Sequence, residues 1–313
     1  MSYRTPARLA GLALAAGLLA ACGGGDGGGG GDPLSDGGGE TCQASSGDGV
    51  VIGSANFSEN VLLAEIYAGA LEAAGVTVEK KLNIGSRETL IPALKDGSID
   101  LVPEYTGNLL TYLDEEADEA ESDAVYEALG DAVPDGCQVL EQSPAEDKDA
   151  LVVTKESADS QSLATIPDLQ PVAGDLIAGG SSEFETRRAG LVGLKEVYDI
   201  EFGEFKTLDP GGPLSVEGLL KGDVDVVNLF TTNPVIETEG LVVLEDPESL
   251  FSAQNVVPLI TEEKATDEVT EALNGVSAAL DTEQLIALMK RVDVDKENPA
   301  DVAAAWLTEA GLV

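Results

Sequence analysis

Histidine is absent from all 313 residues. Its absence removes Ser-His and Cys-His activation of a nucleophile, His-based zinc sites and the commonest general base. Positive charge is scarce too: 17 Lys and Arg stand against 58 Asp and Glu, for a formal net charge of −41. A surface of that sign repels phosphate backbones and anionic lipid headgroups, which excludes nucleic acid as a partner and suits solubility at high salt. Neither G-x-G-x-x-G, G-x-x-x-x-G-K-[ST] nor G-x-S-x-G occurs. Asp293-Val294-Asp295 resembles the opening of a calcium loop, but Asn298 replaces its turn glycine and Ala304 its closing Glu. It reads as a helix-initiating loop, and no cofactor or metal is expected. Carboxylates are too numerous for any pair to stand out, so a secreted carboxylate-based hydrolase remains the rival from another class.

Long apolar runs are missing as well, apart from one at the start. Arg4 and Arg8 precede an apolar stretch over 9–19 that is too short to span a bilayer as a helix, and Leu19-Ala20-Ala21-Cys22 closes it. That tetrad looks like the lipobox of bacterial lipoproteins. Residues 1–21 therefore read as a lipoprotein signal, Cys22 as the lipid-bearing residue and 22–47 as a Gly-rich tether. The expected location is the extracytoplasmic face of the cell membrane, with membrane contact through the N-terminal lipid only. The chain has three cysteines. With Cys22 lipidated, Cys42 and Cys137 remain in an oxidising compartment; a bridge between them is expected, two free buried thiols being the alternative.

What the sequence does contain is a repeat. Lys95-Asp96-Gly97-Ser98-Ile99-Asp100-Leu101-Val102-Pro103-Glu104-Tyr105-Thr106-Gly107-Asn108 is answered by Leu220-Lys221-Gly222-Asp223-Val224-Asp225-Val226-Val227-Asn228-Leu229-Phe230-Thr231-Thr232-Asn233. Aligned on Gly97 and Gly222, Asp100 falls on Asp225, Tyr105 on Phe230, Thr106 on Thr231 and Asn108 on Asn233. Each copy reads as a helix ending at a glycine, a short buried strand and a polar tip. A second pair, Gly53-Ser54-Ala55-Asn56-Phe57 and Gly180-Ser181-Ser182-Glu183-Phe184, reads as strand, turn and helix start. Asn56 with Glu59 has the form of a capping box. Ligands in open α/β sheets sit beyond the carboxyl ends of strands, so two such units predict two edges facing one cleft.

Strand-like and helix-like runs alternate from residue 48 to the end, which favours an α/β fold of mainly parallel sheets flanked by helices. Short hinge-like segments at 150–154 and 240–244 divide it into a discontinuous first lobe, 48–150 plus 241–313, and a second lobe, 151–240.

Four motifs carry a resemblance across residues 48–313. They are Gly53-Ser54-Ala55-Asn56-Phe57-Ser58-Glu59-Asn60, the stretch ending in Glu104-Tyr105-Thr106-Gly107, Glu183-Phe184-Glu185-Thr186-Arg187 with Gly190, and Asn255-Val256-Val257-Pro258. In them the chain resembles the glycine betaine/choline/carnitine substrate-binding proteins of ABC importers. The resemblance implies a two-lobed type II periplasmic-binding-protein fold that closes on a small-molecule zwitterion or cation and delivers it to a membrane permease. It puts Tyr105 and Phe230 in an aromatic cage, Arg187 on a carboxylate and Asn60 where glutamine is frequent. Quaternary ammonium groups donate no hydrogen bond and are held by ring faces, about 0.5–2 kcal/mol each. Aromatics make up only 4% of this chain, and Asp147, Asp149 and Gln254 stand near positions where members carry rings. Either those carboxylates help hold the cation, or the ligand is a different small polar amine able to donate hydrogen bonds. The expected contact residues are Asn56, Phe57, Asn60, Tyr105, Thr106, Asn108, Asp147, Asp149, Arg187, Phe230, Thr231, Asn233 and Gln254. The lone Trp306 reads as core.

Overall fold

The computed structural model describes residues 41–313. The expected signal, Cys22 and the tether up to residue 40 lie outside the described residues. From Cys42 onward the chain is held: Cys42 N–H donates to the Asp135 carbonyl at 2.8 Å, Gln43 N–H to that of Leu94 at 3.1 Å, and Cys42 is disulfide-bonded to Cys137. The tether expected to run to residue 47 is therefore corrected. Its last residues are stitched to the folded body, because the disulfide and the Asp100 carboxylate hold them there.

The strands are β1 (Val50–Ala55), β2 (Val78–Gly85), β3 (Leu101–Tyr105), β4 (Cys137–Val139), β5 (Asp149–Val153), β6 (Ile177–Gly180), β7 (Glu204–Thr207), β8 (Val226–Phe230), β9 (Val242–Val243) and β10 (Val256–Thr261). They form two five-stranded sheets, ordered β2-β1-β3-β10-β4 and β7-β6-β8-β5-β9. The sheets are mixed rather than mainly parallel. β1 is parallel to β2 and β3, and β6 to β7 and β8, whereas β10 and β5 are antiparallel to all their partners. The reason lies in the connections. β5 follows the crossing out of the first lobe and β10 follows the crossing back, so each enters its sheet at the cleft end, where the other strands finish.

The return crossing also corrects a boundary. Residues 241–244 were expected to re-enter the first lobe, yet β9 pairs with β5 and Glu245 bridges to Thr165, both within the second lobe. The chain crosses back at Ser252–Asn255, where Ala253 N–H donates to the Ala120 carbonyl at 3.0 Å. β4 and β7, which the sequence pattern did not reveal, are edge strands of three and four residues.

The repeated glycines do the same work twice. Gly97 (φ +74°) and Gly222 (φ +75°) end their helices in the left-handed region. The aspartates that follow pin the neighbouring strand: Asp100 accepts from Val51 N–H and Asp225 from Ile177 N–H, each at 2.8 Å. In the first lobe α1 (Ser58–Ala73) is apolar around most of its circumference. It is correspondingly covered by the sheet on one side and by helices Asp267–Ala279 and Pro299–Glu309 on the other. Trp306 belongs to this core. Among the described residues no helix is long and apolar enough to cross a membrane, and no group of His, Cys, Asp and Glu could hold a metal ion.

Candidate ligand-binding site

β1, β3, β6 and β8 all run toward the space between the sheets. The residues at or just past their ends, Asn56, Phe57, Tyr105, Ser181 and Phe230, line one cavity of about 70 Å³ together with Asp147 and Asp149 from the outgoing crossing. One water needs roughly 10–15 Å³, so the space suits a compact solute. The first lobe contributes Phe57 and Tyr105, the second Phe230. Phe57 lies centrally, its ring centroid 6.1 Å from Tyr105 and 5.2 Å from Phe230.

Beneath the rings two acids meet at the junction of the lobes. Glu59, in the first turn of α1, accepts from the Tyr105 hydroxyl at 2.8 Å and from the Thr232 hydroxyl of the second lobe. Asp147 accepts from Thr232 N–H at 3.0 Å and from the Thr231 hydroxyl at 3.3 Å. Both acids are nearly excluded from solvent. Burial raises the pKa of Glu59 and, aided by the Glu59 charge, lifts Asp147 well above the usual carboxylate range. Burial and the same two carboxylates push the Tyr105 phenol up as well. The expected Asn56–Glu59 capping box does not form. α1 starts at Ser58 with Phe57 as its N-cap residue, and Glu59 is drawn instead to Tyr105 and Thr232.

The arginines divide differently from the sequence expectation. Arg187 forks onto Glu88 across the rim, Nε to Oε1 at 3.0 Å and Nη2 to Oε2 at 2.8 Å. Burial opposes the Glu88 charge, but the Arg187 and Ser86 hydrogen bonds outweigh it and bring its pKa down to about 2. Arg188 donates to the Ala117 carbonyl from the same side. Deep in the wall stands Arg87, the first residue of α2 (Arg87–Lys95), paired with Glu104 through Nε at 2.9 Å and Nη2 at 2.6 Å.

Asn56, Phe57, Asn60, Tyr105, Asn108, Asp147, Asp149, Arg187 and Phe230 line the cavity. Within that set the Asn60 amide is consumed by the scaffold, donating to the Pro103 carbonyl and accepting from Ala55 N–H. Four expected residues do not line it. Thr106 donates to the Ala253 carbonyl and accepts from Asn255 N–H. Thr231 accepts from Lys148 N–H, so the repeated threonines each clamp a crossing segment. Gln254 accepts from Asn108 N–H, and Asn233 turns away to the Gly211 carbonyl. A side chain at Gly107 would strike Ser252 Oγ at 2.2 Å and the Ala253 carbonyl at 2.6 Å. That close approach explains the glycine after Thr106.

Sequence reasoning missed Arg87, Ser86, Asn228 and Ser181 as wall residues. Asn228 carried a signal: it is the one amide in the apolar strand Val226–Phe230 and is itself buried. Arg87 carried a weaker one, a rare cation opening a helix.

Residues 48–309 match the family described as the substrate binding domain of an ABC-type glycine betaine transport system. The glycine betaine-binding protein YehZ of Escherichia coli (strain K12) is 25% identical over 276 residues, 84% of this chain and 90% of that protein. A glycine-betaine-binding protein of Pseudomonas aeruginosa is 28% identical over 279 residues, 84% of this chain and 88% of that one. A crystal structure of a glycine betaine/carnitine/choline ABC transporter protein matches with a TM-score of 0.67 at 23% identity. It covers 84% of this chain and 99% of its own, and it speaks to the two-lobed fold.

Proposed function

The chain belongs to the family of substrate-binding domains of ABC-type glycine betaine transport systems, and from that membership we propose an extracytoplasmic receptor that closes its cleft on a small amine and hands it to a permease. Members of the family are receptors rather than enzymes, which sets the carboxylate-hydrolase reading aside. Quaternary amines such as glycine betaine and choline are the first ligands to try. The observation that carries the reading is the convergence of Phe57 and Tyr105 from one lobe with Phe230 from the other, beside Asp149, on one compact cavity. Ring faces and a carboxylate together favour a cation. The lobes are joined by two crossings, an arrangement suited to hinge closure.

Melting curves with glycine betaine, choline, carnitine, proline betaine and amino acids test the ligand class, because a ligand that binds only the folded protein raises its stability by mass action. At a hundred times Kd the gain is about 2.7 kcal/mol. A rise with an amine supports the reading; no rise with any of them sinks it. Lipid anchoring through Cys22 is part of the proposal, and Cys22→Ser is expected to release the protein from the membrane fraction. Permease delivery predicts that a transport system reconstituted without this receptor loses high-affinity uptake.

A further inference from the structure

The ligand cavity has a larger neighbour. A groove of about 350 Å³ lies beside it, lined from the first lobe by Ser58 and Lys296 and from the second by Gly211, Val216 and Asn233. Exposed Glu217 and Lys296 on its lining open it to solvent. Asn56, Phe57 and Pro210 border both spaces. They form the wall between a compact cavity of about 70 Å³ and that open groove.

The wall is assembled from both lobes. Phe57, from the first, is the N-cap residue of α1, with an extended backbone and no side-chain capping bond. Helices favour Ser, Thr, Asp or Asn in that place, so the ring serves the cleft rather than the helix. It packs against both apolar clusters of the first lobe and stays half-buried where it projects between the lobes. Phe230, from the second lobe, meets it centroid to centroid at 5.2 Å, within the usual contact range of aromatic pairs. Behind Phe230 the chain turns through Gly211 in the left-handed region (φ +65°), and a side chain there would strike Phe230 Cδ2 at 2.7 Å. Phe230 is thus pressed between the Gly211 backbone and Phe57. The wall exists only while the lobes are together, and it keeps the water of the groove away from the cavity. Cation–π attraction is stronger where water is excluded.

We infer that Phe57 sets the upper size limit of the ligand: it partitions the compact cavity from the groove, so that short trimethylammonium solutes are admitted and longer ones refused. This rests on the reading of the cleft as an amine site.

Calorimetry on the folded chain at pH 7 tests it with glycine betaine and with carnitine, which is longer by two carbons. Glycine betaine is expected to bind at least about tenfold more tightly, since even one methylene changes binding in a filled apolar pocket by about that factor. In Phe57→Ala the ratio falls toward one, and adding Val216→Phe, which refills the groove, restores it. Phe57→Leu keeps bulk without the ring face, so both ligands weaken and the ratio stays. Pro210→Ala thins the same wall from the other lobe and shifts the ratio in the direction of Phe57→Ala, by less. Circular dichroism of the variants confirms that the fold is kept. A ratio unchanged in both Phe57→Ala and Pro210→Ala, or carnitine binding as tightly as glycine betaine in the unaltered protein, overturns the inference and leaves the amine receptor standing. No heat with either ligand overturns the inference, and none with choline as well overturns the receptor reading too.

Discussion

Asp100 and Asp225 occupy the same place in the two lobes, yet they are embedded differently. Asp100 is fully buried and accepts from Val51 N–H, Ser45 N–H at 2.7 Å and the Ser45 hydroxyl at 2.6 Å. Asp225 is only half-buried and accepts from Ile177 N–H. The contrast extends outward. The first lobe has the disulfide, the 16-residue α1 and a core continuous with Trp306. The second lobe is built on short helices such as Ser182–Thr186 and Gly193–Tyr198. The backbone between them, at Ala189 and Gly190, leaves the helical region. One plan has therefore been given two stabilities. The first lobe is a platform, and the second, held by fewer buried polar anchors and shorter elements, is the part that opens at lower cost.

Removing the disulfide is the strongest way to break that contrast. Cys42 and Cys137 are 95 residues apart in sequence, and cross-linking a loop of that size stabilises by about 4.7 kcal/mol in the chain-entropy account. In the oxidised protein, hydrogen exchange is expected to open the second lobe first. After Cys42→Ala with Cys137→Ala the gap should narrow or invert. An unchanged order would show that the first lobe does not depend on its staple.

The paired aspartates give the next largest effect. Asp100→Ala strands two N–H donors and a hydroxyl, and with charged-acceptor bonds near 1.5–3 kcal/mol each it is expected to cost about 3 kcal/mol or more. Asp225→Ala, with one such bond, should cost about 1–2 kcal/mol. Urea denaturation of the two variants measures the difference directly, and equal losses would erase the distinction between the lobes.

Acidity tests the joint between them. Glu59 and Asp147 have pKa values raised by burial at the junction of the lobes. The folded protein therefore holds more protons than the unfolded chain between the ordinary carboxylate range and the raised values. Since stability changes with pH as the protons bound unfolded minus folded, it falls as pH climbs through that window. At the joint two effects oppose each other: burial of the acids raises their pKa, whereas the hydrogen bonds that Thr232 of the second lobe donates to both lower it. Asp147→Asn removes one acid and should flatten the dependence seen in melting curves between pH 4 and 8. A slope untouched by this change would assign it to other carboxylates.

The rim gives the smallest effect. Arg187 and Glu88 are partly exposed, 29% and 43%, so their fork is worth about 1 kcal/mol or less and is screened by salt. Arg187→Ala should weaken ligand affinity only a few-fold, and less so in high salt. A hundredfold loss would mean that Arg187 swings inward onto the ligand when the cleft is filled.

Much of this fold was legible in the linear pattern. The helix-ending glycines and the repeated aspartates depend on local geometry and on a spacing preserved in both copies. The edge strands and the return crossing were not legible: Glu204–Thr207 is short and half exposed, and Gly240–Leu244 looks like any buried strand approaching a sheet. The cleft wall was legible in part. Tyr105, Phe230, Asn108 and Asp149 carry visible chemistry next to strand ends, whereas Thr106 and Thr231 look identical in kind yet bond to the crossing segments, and Gln254 is spent on Asn108 N–H.

The order of elements, the duplicated strand tips and the acidity that bars nucleic acid were determined by the sequence itself, since periodicity, turn residues and net charge need no distant partner. Which amides face the cavity and which arginine is spent on which carboxylate were decided only in three dimensions. Asn108 meets Asp149 across 41 positions, Arg187 meets Glu88 across 99, and Thr232 meets Glu59 across 173. A hydrogen bond depends on angstroms and angles, and over such separations only the packing of two whole sheets supplies them.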